Sequence, residues 1–104
     1  MSKLIKHISE MIDEQLECAE DHTKHAVKYK DEHMGISKVL NDIATDEMRH
    51  VNMLHEEVVK AIETHRKTAG EPPASMLAVY DYLHNKQIEK ANRVKNYLSQ
   101  YRGG

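Results

Sequence analysis

Phe and Trp are absent from this 104-residue chain, Cys occurs once, Pro twice and Gly four times. Without Phe or Trp, a core has to be assembled from Ile, Leu, Val, Met, Ala and five Tyr, a modest apolar supply that oligomerisation would supplement. The single Cys18 excludes an intramolecular disulfide and is consistent with a reducing compartment. No stretch reaches the roughly 20 apolar residues needed to cross a bilayer, and the segment Met1 to His7 lacks the apolar run of a signal peptide. A cytoplasmic protein with no membrane association is therefore expected. Charge of one sign is also lacking: the formal net charge is -2, with Lys and Arg scattered among Asp and Glu, so nucleic acid is not an expected partner. The length suits one domain over residues 1–104.

What is present is helix-forming sequence with two interruptions. Gly35, within Asp31 to Gly35, marks the first, and Gly70-Glu71-Pro72-Pro73-Ala74 marks the second. Gly suits the left-handed position after a helix, and Pro suits the first turn of the next, so the second interruption reads as stop and restart. Between the breaks, apolar residues recur every three or four positions. The first stripe is Ile5, Ile8, Ile12, Ala19, Thr23 and Ala26; the second is Ile36, Leu40, Ile43, Val51, Leu54, Val58 and Ile62. Met76, Tyr80, Leu83, Ala91, Val94, Leu98 and Tyr101 make the third. Each is one face of a helix, and no period-two alternation supports a strand.

The expected fold is therefore all-α, an up-down-up bundle of three long antiparallel helices over about 2–31, 36–68 and 74–101. Each helix of roughly 30 residues would be about 45 Å long at 1.5 Å per residue, which predicts an elongated bundle.

Chemistry enters with the second stripe. At about 100° per residue its centre runs through Ile36, Ile43, Leu54 and Val58, and Glu47 falls on that line with His50 beside it, while Arg49 faces water. An inward carboxylate is costly unless it is paired or bound to a cation. Carboxylate and imidazole three positions apart share a helix face and can reach one ion, and that oxygen and nitrogen mixture suits iron, manganese or zinc.

Asp46-Glu47-Met48-Arg49-His50, followed by Met53-Leu54, resembles the Glu-x-x-His helix of ferritin-like and rubrerythrin-like proteins, and residues 8–64 resemble their antiparallel helical hairpin. This resemblance implies iron or manganese bound between helices, in a centre that is dinuclear in that family, with iron oxidation, storage or peroxide protection as the chemistry. Ferroxidase or peroxidase-type activity is thereby implied, without a choice between them. It also implies a Glu on the first helix, which would be Glu17, or Glu14 in another register.

The helical rotation itself points elsewhere on that helix, turning Gln15, Cys18 and His22 inward at the height of Glu47. On the third helix His84 and Gln87 are the inward polar residues, and Asp81 points outward. The candidate metal ligands are thus Glu47, His50, Glu17, Glu14, Cys18, His22 and His84. A second Glu-x-x-His helix and a fourth helix are both missing, so a homodimer or higher homo-oligomer is expected to complete the hairpin and its site. The alternative is a metal-free helical self-assembly or interaction module derived from such a hairpin, in which Glu47 and His50 bond to each other and to Gln.

Overall fold

The computed structural model describes residues 3–103. Three helices account for nearly all of them: α1 (Lys3–Lys28), α2 (Met34–Ala69) and α3 (Ala74–Tyr101), and no strand occurs among the described residues. The all-α bundle expected from the stripes is what forms. α2, with 36 residues, spans nearly the whole of a rod measuring 55 × 19 × 18 Å.

The second break is as expected. Gly70 takes φ 82°, a left-handed conformation that only Gly adopts without strain, and its N–H closes on Arg66 O before Pro72 and Pro73 lead into α3. The first break lies earlier than Gly35. α1 ends at Lys28, residues 29–33 turn, and Gly35 belongs to the first turn of α2 with no positive φ. Buried Ser37 donates from its hydroxyl to Ala26 O across this turn and satisfies a carbonyl near the α1 C-terminus. Residue 2, where α1 was expected to begin, lies outside the described residues.

The core repeats every seven residues, a regularity that hydropathy alone does not display. On α1 the buried line is Ile5, Ile12, Ala19 and Ala26; on α2 it is Ser37, Ala44, Val51 and Val58. α3 continues the spacing with half-buried Tyr80, buried Gln87 and Val94, and half-buried Tyr101. A seven-residue spacing keeps one seam on each helix facing its neighbours, as in coiled coils. Toward the end of the rod where α1 turns into α2, Ala19, Ala44 and Val94 form one layer of small side chains. Toward the other end Ile5, Ile8, Ile12, Leu16, Val51 and Val58 form the larger cluster.

This geometry corrects the second stripe. Ile36 and Ile43, expected on its centre, are 50% and 40% exposed, whereas Ser37 and Ala44 are buried. Bulky apolar side chains at 36 and 43 outweigh a serine and an alanine in any hydropathy reading, but only the small pair fits the close approach of α1.

The directions run up, down, up, yet α3 does not lie against its sequence neighbour. It packs on α1 and scarcely touches α2. Gln87 Nε2 donates to Ser9 Oγ at 3.0 Å in the core, Lys90 reaches Asp13 and Glu17, and Arg93 Nε donates to Glu20 Oε1 at 2.8 Å. These contacts occupy one flank of the α1 stripe. The opposite flank of the α1–α2 hairpin has no third helix over it, and exposed Met11, Ile36 and Ile43 lie there.

Candidate metal centre

The candidate site lies at the middle of this uncovered flank, because α1 and α2 are antiparallel and bring the centre of one beside the centre of the other. Val51 and Ala44 bury the core line of α2, which leaves Glu47 and His50 on the edge turned away from α3. Ile12 and Ala19 do the same on α1, leaving Gln15 and His22 on the matching edge.

Two polar rungs join these edges. His22 Nδ1 donates to Glu47 Oε1 at 2.6 Å, with the side chains 30% and 12% exposed. His50 Nδ1 donates to Gln15 Oε1 at 3.3 Å. A carboxylate accepts and cannot donate, so the proton of the first rung belongs to His22 Nδ1; the carbonyl oxygen of Gln15 fixes the second in the same sense. In a neutral imidazole the proton on Nδ1 leaves a lone pair on Nε2. No residue among those described bonds to either Nε2. An imidazole held through Nδ1 by an acceptor with Nε2 free is the arrangement that metal-binding histidines use, the acceptor fixing ring and tautomer.

A hollow of about 450 Å³ opens beside His22, bounded by His25, Tyr29 and His33 on the α1 side and by Ile36 and Leu40 on α2. His25 Nδ1 is engaged by Asp21 O at 2.8 Å and its ring stacks on Tyr29, so this end of the flank is also furnished with oriented rings.

The expected residues divide clearly. Glu47 meets His22, and His50 meets Gln15, as two separate rungs. Cys18, expected inward, is exposed. Ala19 takes the buried place next to it, and the rotation of one residue carries the thiol to the surface. Partial desolvation first, then the charges of Glu47, Glu17, Asp21 and Glu14, raise the Cys18 thiol above its ordinary value. Glu14 is exposed, and Glu17 lies on the flank facing α3, where it pairs with Lys90 at 3.4 Å; neither reaches Glu47. His84 lies on the other side of the core, stacked on His55 with ring centroids 5.1 Å apart at the thin α2–α3 junction. His55 escaped the reading of the sequence because its role depends on where α3 docks.

Glu47 is therefore the one carboxylate at the site, and it already holds His22. A dinuclear centre of the carboxylate kind takes a Glu from each of several helices, which one chain does not bring here. Among the described residues, no group of three or more His, Cys, Asp or Glu side chains could hold a metal ion within one chain. No helix among the described residues is long and apolar enough to cross a membrane. No family model, curated protein or solved structure matches this chain.

Proposed function

We propose that this chain is a metal-binding helical bundle of ferritin-like character whose site is completed when two copies pair through the uncovered flank of the α1–α2 hairpin. One observation carries the reading: a nearly buried carboxylate, Glu47, spends its hydrogen bond on orienting His22, while His50, one turn after Glu47 on α2, makes a longer contact to Gln15, on a flank with exposed Met11, Ile36 and Ile43. Orienting two imidazoles has a use if their free nitrogens take a cation. An apolar margin around a polar centre has a use if another surface covers it. Iron or manganese is the cation that the Glu47-x-x-His50 resemblance suggests, with iron oxidation, storage or peroxide protection as the activity.

The experiment is elemental analysis of the untagged protein before and after anaerobic incubation with ferrous iron or manganous ion. Metal retained in stoichiometric amount by the dimer, and lost in His50→Ala, supports the proposal. Protein that retains neither cation and stays monomeric defeats it.

A second reading is favoured by the same rungs. Glu47 with His22 and His50 with Gln15 satisfy one another inside a single chain without a metal. On that reading the chain is a metal-free self-assembly module, the flank still pairs two copies, and only the metal analysis comes out empty.

A further inference from the structure

The end of the rod away from the His22 rung holds a larger hollow, of about 890 Å³, beside the α2–α3 connection. Small-molecule sites commonly enclose roughly 300 to 1,000 Å³. The hollow opens where α3 packs on α1 and scarcely touches α2, so that the two helices stand apart near the connection that joins them. We propose that it binds one free fatty acid, with the chain lying among the three helices and the carboxylate at the mouth beside Lys60 and His65. The proposal is independent of the pairing and metal binding above.

The lining grades from an apolar floor to a basic mouth. Ile5 and Ile8 are buried, and Ala61, Ile62, Leu77 and Tyr80 are half-buried around them. Burial raises the Tyr80 phenol above its ordinary 10.0, so that wall stays uncharged at neutral pH. Lys60, Thr64 and His65 are exposed along the same stretch of α2, Thr64 four positions after Lys60 and His65 four after Ala61. An apolar body with one polar end matches this gradient. A polar molecule would lose its water against the inner walls without hydrogen bonds in return.

The sign of the polar end follows from the side chains at the mouth. Lys60 and His65 outnumber the one acid of the lining, Glu57. Glu57 Oε1 meets Lys60 Nζ at 3.2 Å, but the two side chains are 59% and 68% exposed, and so open a pair leaves the ammonium available to a second carboxylate. The His65 ring makes no hydrogen bond among the described residues. Length agrees as well: from Glu57 to Thr68 the hollow follows α2 for about 16 Å at 1.5 Å per residue, which takes an extended acyl chain of medium length.

The test follows the amide NMR spectrum of the full-length protein during titration with laurate below its micellar concentration, with lauryl alcohol as the neutral control. The expected result is saturation at one laurate per chain, with shifts gathered on residues 4–8, 57–68 and 72–80 and none around His22 and Glu47. Lauryl alcohol should bind about tenfold more weakly, the loss expected when a charge-assisted contact is removed. Combining Lys60→Gln with His65→Gln should abolish that preference, and Thr64→Trp, which puts bulk into the mouth, should weaken both ligands. Lys60 and His65 are exposed, so the paired Gln variant reports on the carboxylate even where bulk at 64 disturbs the fold. Absence of saturable shifts with laurate, or shifts spread along the whole rod with many laurates per chain, overturns the proposal. Equal affinity for laurate and lauryl alcohol in the unaltered protein, or a preference for laurate that survives in the paired Gln variant, overturns it equally.

Discussion

His22 Nδ1 and Glu47 Oε1, 25 residues apart in sequence, meet at 2.6 Å and tie the last third of α1 to the first half of α2. The bond is charge-assisted on the acceptor side, and such bonds contribute about 1.5 to 3 kcal/mol when shielded from water. Partial exposure of His22 lowers that figure, so a coupling of about 1 kcal/mol is expected from a double-mutant cycle using His22→Ala and Glu47→Ala. Urea unfolding of the two single variants and the double variant measures it; a coupling indistinguishable from zero means that the rung does not persist in solution.

α3 packs chiefly on α1, and among the described residues its buried polar tie there is Gln87 to Ser9. Gln87→Ala removes the bond, leaves the Ser9 hydroxyl without that partner and opens a cavity, for a loss of about 2 kcal/mol. Gln87→Leu refills the space and should recover part of it. Denaturation midpoints decide, and an unchanged midpoint in Gln87→Ala would place the hold on α3 in the exposed pairs of Lys90 and Arg93 instead.

The rotation of α2 can be checked at two adjacent residues. Ala44→Leu forces bulk into the layer of Ala19, Ala44 and Val94 and should cost about 1 to 3 kcal/mol. Ile43→Ser, on the exposed side, should change the stability of the isolated chain by less than about 0.5 kcal/mol. Unfolding at low protein concentration compares them, and the reverse order of effects would contradict the packing described here.

These two residues also show how far the sequence could be read. On α1 the stripe was legible, because Ile5, Ile8, Ile12, Ala19, Thr23 and Ala26 are all buried, although fully buried Leu16 was not among them and Leu4 and Met11 beside them are exposed. On α2 the helix was legible but its rotation was not, since Ile36 and Ile43 carry the hydrophobic signal while Ser37 and Ala44 carry the packing. Glu47 lies between the two lines and His50 continues that of Ile36 and Ile43, and both are half-buried. Cys18 was misplaced, being set level with Glu47 when the partner is His22, one turn further along. The stacking of His55 on His84 was missed, because it depends on how α3 sits against α2 at their thin junction.

Cys18 provides a pH test. Its thiol is raised above the ordinary 9.0, by desolvation first and by Glu47 next. A raised value means less thiolate at every pH below it, so alkylation should be slow at neutral pH despite the exposure of the side chain, and half-maximal only above pH 9.0. Removing the nearest charge with Glu47→Gln should move that midpoint downward. Rates of iodoacetamide labelling against pH give both numbers, and a midpoint below 9.0 in the unaltered protein contradicts the electrostatics described here.

The central claim is that a cation is held between two copies of this hairpin, and native mass spectrometry of the untagged protein, with and without added zinc and ferrous iron, addresses it most directly. The account predicts a dimer carrying bound metal, and a metal-free monomer when Ile43→Glu places a charge on the uncovered flank. Metal carried by a monomer, or a dimer whose mass and metal content are indifferent to Ile43→Glu, would contradict it.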